Sequence, residues 1–432
     1  MPPTPASRLS VWMSASAALF FLLTLSVPNG YSWGGGLLLL GGLAAAWSCR
    51  GSSRSRAGSP DDRQAAPGSC PPWTFQDRTL CVLLLAVCAI NALAVVWHGD
   101  SGKYLDQGVR YLLAIPVLWG LRQVRLRLDW IWAGLVLGCL GTAAVAWWQV
   151  HVVGYNRAEG FVTSAIPFGD IALMMAFWCV LGAALSAIRH RMAWAGFLLI
   201  GALAGTYAFI AAATRGGLVA VPVLLVLAAL ALARRGHGRR LLAGAALLAV
   251  AVTLAVTLLS AGKITERRFD EAFAEWQAYS QGGDATNNVG SRLEAWRAAL
   301  ISIPDRPLLG WGHPEYNAHL GELIQAGRAN RFVATLSNTH NQFIEIWLHQ
   351  GTLGLVAFLA LLIASFWYFA QRLRHADAAT RILACCGASL PAAFAAFGLT
   401  QVILGRNNGV MFFLVSLAVW WALMREAESK AG

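Results

Sequence analysis

Apolar runs of about 17 or more residues alternate along this chain with short polar breaks. Runs of that length cross a hydrocarbon core of roughly 30 Å as helices. About twelve such spans are expected, over residues 11–27, 33–49, 79–97, 105–121, 130–152, 167–188, 194–213, 216–233, 241–260, 341–370, 380–402 and 408–424. The pattern predicts an all-α integral membrane protein. It also divides the chain: spans one to nine in 1–260, a long loop over 261–339, spans ten to twelve in 340–425, and a short tail over 426–432. The first run has only Arg8 before it and no small-residue cleavage site after it, so it reads as a retained span. Glycine-rich stretches such as Gly34-Gly35-Gly36 are tolerable in membrane helices, where neighbours re-satisfy the backbone.

The polar breaks fall into two classes. One class is rich in arginine: Arg50, Arg54, Arg56, Arg63 and Arg78; Arg122, Arg125 and Arg127; Arg189 and Arg191; Arg234, Arg235, Arg239 and Arg240; Arg372, Arg374 and Arg381. It alternates without exception with breaks that are sparse in charge. By the positive-inside rule the rich class and both termini are cytoplasmic, and the 261–339 loop faces outward. The 50–78 segment, rich in Ser, Pro and Arg, reads as a flexible cytoplasmic linker.

Composition agrees: 57% of residues are hydrophobic and only 12% charged, far from a soluble domain. The net charge of +12 is spent on orientation signals rather than on one basic face, which excludes nucleic acid as the expected partner. None of the eight cysteines lies in 261–339, and no pair has zinc-ligand spacing, so neither a disulfide framework nor a structural metal is expected.

The outer loop carries helical patterning. Ser291-Arg292-Leu293-Glu294 reads as a capping box with Ser291 as N-cap. Leu293, Trp296, Leu300 and Ile303 follow at helical spacing, and Pro304 and Pro307 end the run. Phe269, Phe273 and Trp276 mark an earlier amphipathic stretch, and Gln281-Gly282-Gly283-Asp284 a turn between the two. A small helical lid over an outward cavity is the expectation.

Chemistry is expected at the outer helix lips. His340, in Asn338-Thr339-His340-Asn341, stands where the polar loop meets an apolar helix, and a neutral imidazole there can accept a proton near neutral pH. Asn341 is either a substrate-orienting group or a helix N-cap. Arg215, in Thr214-Arg215-Gly216-Gly217, sits between two spans and suits bidentate contact with phosphate. Arg157 lies in an outer loop with Glu159, and Arg406 at another outer lip. Arg110 falls inside the fourth span, where Asp106 at i−4 is its natural partner. Glu345 and His349 share a helix face as a buried pair; His313 reads as structural or sugar-contacting. Asp100, Asp106 and Glu159 do not form the compact cluster that a divalent cation steadying a diphosphate needs, so a metal-free site is expected, with arginines in its place.

Read together, three places in the chain resemble the O-antigen ligase family and its superfamily of O-antigen polymerases and related oligosaccharyltransferases. They are Thr214-Arg215-Gly216-Gly217; Ser291-Arg292-x3-Trp296 with Pro307-Leu308-Leu309-Gly310-Trp311-Gly312; and His340-Asn341-x3-Glu345-x5-Gly351-x2-Gly354-Leu355. The resemblance implies a GT-C-like helical fold in the bacterial inner membrane with its active site facing the periplasm. It implies His340 as the base, and Arg215, Arg292 and, less strictly, Arg157 as the diphosphate clamp. It implies an undecaprenyl diphosphate-linked O-antigen as donor, lipid A-core as acceptor, no cofactor, and inversion at the anomeric carbon. On periodicity alone Arg292 is a solvated residue in a first helical turn. A polymerase or a protein O-oligosaccharyltransferase are the nearest alternatives. A lipid or polysaccharide transporter is the alternative of another class, but it would be expected to carry inverted repeats and broken helices at mid-membrane, whereas here the polar groups gather at outer helix lips and a structured loop.

Overall fold

The computed structural model describes residues 5–54, 73–161, 164–232, 274–277, 279–280 and 286–431. The expected span at 241–260, most of the 50–78 linker, Phe269, Phe273 and the 281–284 turn lie outside them. The helices are α1 (Pro5–Leu23), α2 (Gly30–Arg54), α3 (Phe75–Trp97), α4 (Lys103–Arg122), α5 (Leu128–Trp147), α6 (Ala165–Ile188), α7 (Met192–Ala212), the short α8 (Arg215–Leu218) and α9 (Ala220–Leu232). After the undescribed segment come α10 (Asn288–Ser302), α11 (Gly312–Gln325), α12 (Gln342–Ala370), α13 (Ala378–Gly398) and α14 (Asn407–Ala431). Among the described residues there is no strand.

Seven of these helices, α3, α5, α6, α7, α12, α13 and α14, are long and apolar enough to cross a membrane. The fold is therefore all-α and of the multi-pass membrane type. The count of twelve goes beyond these seven: α1 and α9 are shorter apolar helices.

The bundle is filled by aromatic rings where α1, α6, α13 and α14 meet. Trp178 stacks on Phe412 at 5.4 Å and meets Trp420 edge-on at 5.1 Å, with Phe21 and Phe394 around Phe412. The buried indole N–H of Trp178 donates to Ser389 Oγ at 2.9 Å, so its one polar atom is satisfied.

One end of the bundle is closed by ion pairing. Thr74 and Asp77 form a capping box at the start of α3. Fully buried Asp77 also takes Arg122 from the end of α4 at 2.7 Å, with Arg425 of α14 at 3.8 Å and the Trp421 indole at 2.8 Å. The opposite end carries the segment 286–339, whose small core of Ala295, Ala298, Ala299, Ile303, Trp311, Tyr316 and Leu320 closes on Leu348 of α12.

A backbone interlock fastens that segment. Gly351 breaks α12 with φ 66° and ψ −169°, freeing groups that a straight helix would pair. The Leu348 carbonyl accepts from Trp311 N–H at 2.8 Å, and Thr352 N–H donates to the Pro307 carbonyl at 2.8 Å. The strands of chain approach so closely that a Cβ on Gly351 would lie 2.1 Å from the Leu308 carbonyl oxygen, and one on Gly310 2.5 Å from that of Leu348. The glycine-rich motifs of the two regions are thus halves of one contact.

Gly351→Ala combines a left-handed φ with a backbone clash. It is expected to destabilise the protein by at least about 2 kcal/mol, read as a lower unfolding midpoint of the detergent-purified protein. Gly321→Ala, in open space on α11, is the control and should hold or slightly raise the midpoint, since alanine favours a helix over glycine.

Candidate functional site

His340 lies between the 286–339 segment and the bundle, in a left-handed conformation (φ 54°) that its neighbours hold. Its N–H donates to Asn338 Oδ1 at 2.9 Å. Thr339 before it donates through both N–H and hydroxyl to Glu345 Oε2, each at 2.8 Å, and the Trp296 indole donates to the Thr339 carbonyl at 2.7 Å. Asn341 after it is the N-cap of α12: its Oδ1 accepts from Phe343 and Ile344 N–H, and its amide donates to the Leu399 carbonyl at 3.3 Å. Of the two readings open for Asn341, the cap is the one observed.

The imidazole faces the α13–α14 connection. Nδ1 lies 3.0 Å from Gln401 Oε1, so Nδ1 carries the proton and Nε2 keeps its lone pair. Burial lowers the pKa below the ordinary histidine value; Gln401 and Glu345 pull it up, while Arg292 and Arg406 push it down further. The neutral ring is the favoured form.

Arg292 reaches the same connection, donating from Nη1 to the Thr400 carbonyl at 3.2 Å. The capping expectation for its helix is corrected: α10 begins a turn earlier, with Asn287 as N-cap accepting from Gly290 N–H at 2.7 Å. Glu294 does not reach back, because it is buried among Arg297, Tyr279 and the Asn330 N–H. Hydrogen bonding to Arg297 holds its carboxyl below the usual range. Arg292 therefore lies inside the helix rather than in its first turn.

The Thr214–Gly217 turn arrives from the other side. A Cβ on Gly216 would come within 2.3 Å of Thr400 Oγ1, so the α8 backbone at Gly216, next to Arg215, abuts the residue that receives Arg292. Arg157 is brought beside this turn by Ala158 N–H, which donates to the Ala211 carbonyl at 2.8 Å; buried Gln149 ties down the loop through Glu159 and Gly160. The Arg157 side chain is half-exposed and 3.4 Å from Glu159, a surface pair of small energetic weight.

A polar cavity of about 220 Å³ opens next to His340, lined among others by Asn338, Gln342, Glu345, His349, Gln107, His313 and Arg406. Neither His340 nor Arg292 forms its wall; His340's sequence neighbours do. Arg406 is exposed over it and makes no side-chain hydrogen bond or ion pair among the described residues. Arg110 pairs with Asp106, as its spacing predicts, and donates to Asn407 Oδ1 at 2.8 Å.

Three ligand-type groups also meet here: His313, Glu345 and His349, with donor atoms within 4.8 Å of one another. Sequence reasoning paired Glu345 with His349, 3.6 Å apart, but missed that His313 joins them. The two imidazoles stack at 3.9 Å and 9°, so the rings face each other in nearly parallel planes. His313 is further held by Asp100 at 3.0 Å and stacked on Tyr104 at 3.6 Å.

Sequence reasoning missed two further groups. Gln401 carries no signal beyond its place after a span. Asp170 does: it is an acid inside the apolar run of α6, fully buried, with neither oxygen hydrogen-bonded among the described residues. It lies against the same turn, 2.7 Å from where a Gly217 Cβ would stand.

Comparison with known proteins bears on this geometry. The family model described as O-Antigen ligase matches residues 200–359, which take in the Thr214–Gly217 turn, α10, the Gly310–Gly351 interlock and His340. The chain thus carries an O-antigen ligase family domain over that region, in agreement with the resemblance of its motifs. An uncharacterized protein of Haemophilus influenzae (strain Rd) is 20% identical over 410 residues, 95% of this chain and 98% of the relative. The domain match gives family-level support for a membrane enzyme of glycosyltransferase type.

A buried acid with no hydrogen bond among the described residues is costly in a membrane helix even when uncharged. Asp170→Ala, which removes both polar atoms, is therefore expected to raise the unfolding temperature of the purified protein. A lower temperature would show that the side chain is partnered and structurally required.

Proposed function

We propose that this protein transfers O-antigen polysaccharide from undecaprenyl diphosphate to a sugar hydroxyl of lipid A-core at the periplasmic face of the bacterial inner membrane. What carries the reading is the Thr400–Gln401 connection, on which the base, Arg292 and the Arg215 turn converge.

The reaction is a single displacement. His340 Nε2 takes the proton of the acceptor hydroxyl as its oxygen attacks the anomeric carbon. The bond to undecaprenyl diphosphate breaks on the opposite face, inverting the centre, and both bonding electrons leave with the diphosphate. Arg215 and Arg292, with Arg157 at the edge, neutralise the charge that builds there. Arg406 extends the positive field over the cavity. Both substrates are held by the membrane, so orientation meets much of the barrier. The guanidiniums take the electrostatic part that a divalent cation has in other diphosphate sites, and no cofactor is required.

The decisive measurement is reconstitution of the full chain with undecaprenyl diphosphate-linked glycan and lipid A-core. Ligated lipopolysaccharide is expected, unaffected by EDTA. His340→Ala should reduce turnover about 10²–10⁴-fold, and Arg292→Gln about 10²–10³-fold. Product formed only from two lipid-linked glycans would make it a polymerase, and loss of activity in EDTA would overturn the metal-free step.

The pH profile is a separate check. The base works when neutral, and its pKa lies below the ordinary histidine value. Transfer should thus stay level through neutral pH and fall only on the acid side of that value. Arg292→Gln removes a neighbouring positive charge, raises the pKa, and should move the falling limb to higher pH in whatever activity remains.

A further inference from the structure

Three side chains on the wall of the polar cavity share one pattern: each has a polar atom tied down and another left over. His313 opens α11; its Nδ1 lies 3.0 Å from Asp100 Oδ2, and its backbone N–H donates to Asp100 Oδ1 at 2.9 Å. His349 of α12 has Nδ1 2.8 Å from the Gly312 carbonyl oxygen. Glu345, one turn earlier, accepts from the N–H and hydroxyl of Thr339 through Oε2. Nε2 of both histidines and Oε1 of Glu345 are left without a hydrogen bond among the described residues, and all three side chains line the same cavity. Because Nδ1 faces an acceptor in each ring, Nδ1 carries the proton and Nε2 a lone pair. Metal-bound imidazoles are held in this way, the second nitrogen donating to a carboxylate or a backbone carbonyl.

The spacing suits a small ion. Ligand atoms about 2.0–2.1 Å from a tetrahedral centre stand about 3.4 Å from one another. His349 Nε2 and Glu345 Oε1 are already 3.6 Å apart. One donor atom from each of the three residues lies within 4.8 Å of the other two, so His313 has at most about 1.4 Å left to cover. The stack of the two rings is what yields: rotation about Cβ–Cγ, a soft torsion for an imidazole, turns the lone pairs toward the ion. Charge permits it as well. Asp100 and Glu345 are buried or nearly so, whereas the neighbouring cations Arg406 and Lys103 are exposed and screened by water.

We infer that His313, His349 and Glu345 form a zinc site whose fourth position opens on the polar cavity. Two imidazoles and one carboxylate select zinc over magnesium or calcium, which prefer oxygen ligands. The ligands come from α11 and α12, and Asp100 from the connection between α3 and α4. The ion therefore joins the 286–339 segment to the bundle beside the Gly351 interlock, adding to a junction that backbone hydrogen bonds already hold. It is separate from the arginine clamp, takes no part in the displacement proposed above, and stands whether or not that reading does.

The test uses the full chain in nanodiscs, free of any polyhistidine tag, with zinc chloride and cobalt(II) chloride as probes. One equivalent of zinc should bind in the presence of millimolar magnesium and raise the unfolding midpoint, and EDTA should return the midpoint to its metal-free value. Cobalt should give the intense visible bands of a four-coordinate ion. His313→Phe, which keeps a ring in the stack, should remove both the binding and the midpoint shift. Asp100→Asn, which keeps all three ligands, should weaken zinc binding about 10–100-fold. Zinc that binds His313→Phe as it binds the wild type is adventitious and overturns the assignment, as do displacement by magnesium and a six-coordinate cobalt spectrum. Should His313→Phe fail to fold, X-ray absorption of the zinc-loaded wild type decides: two imidazoles at about 2.0–2.1 Å uphold the site, and an all-oxygen shell sinks it.

Discussion

The site depends on a helix that is broken on purpose. A straight α12 would pair the Leu348 carbonyl and the Thr352 N–H internally, leaving the 307–312 chain nothing to hold. At Gly351 those groups turn outward and are satisfied by Trp311 and Pro307. Buried backbone groups are expensive unless bonded, so helix and segment each complete the other. From this fixed point α10 is carried across the bundle end, where Trp296 grips the Thr339 carbonyl and Arg292 the Thr400 carbonyl. The left-handed backbone of His340 is therefore held from two sides by contacts remote in sequence, which is how local strain at a functional position persists.

The two ends of the bundle use charge differently. At the end that holds Asp77, the acid is ringed by Arg122, Arg425 and an indole, and little field remains. At the His340 end the nearby acid, Glu345, is already committed to Thr339 and His349. The guanidiniums of Arg292 and Arg406 act on His340 against the opposing pull of Glu345. Together with burial they favour the unprotonated imidazole, and they favour an anion. A carboxylate inserted beside them would pull His340 toward its charged form and compete for the arginines at once.

Much of this was legible in the sequence for a simple reason. Apolar run length and loop charge are local properties, so the helices and their order follow from them, and so do i, i+4 pairs such as Arg110–Asp106 and Glu345–His349. Arg292 was undervalued because its helical setting looks solvated; only the fold brings Thr400 under it. The misplaced cap has a related cause. Ser291 and Glu294 have the capping spacing, but burial commits Glu294 to Arg297 and Asn330, and Asn287 supplies the cap instead. Gln401 could not be found at all, since a glutamine after a span means nothing until the loop it faces is known. Asp170 could have been found: an acid inside an apolar run is its own signal.

The stacked rings of Tyr104, His313 and His349 show how the fold holds a histidine near His340 as a packing group. Burial and the neighbouring His349 push His313 down to about 4, so near neutral pH it packs as an uncharged ring. Its Nδ1 is oriented by Asp100, and that of His349 by the Gly312 carbonyl at 2.8 Å. A neutral His313 stacks well between Tyr104 and His349, whereas a charged one would have to be desolvated there. The stack thereby joins the start of α4, the start of α11 and the first half of α12. The arginines nearby do not titrate in this range, so acidification should act on His340 before it acts on them.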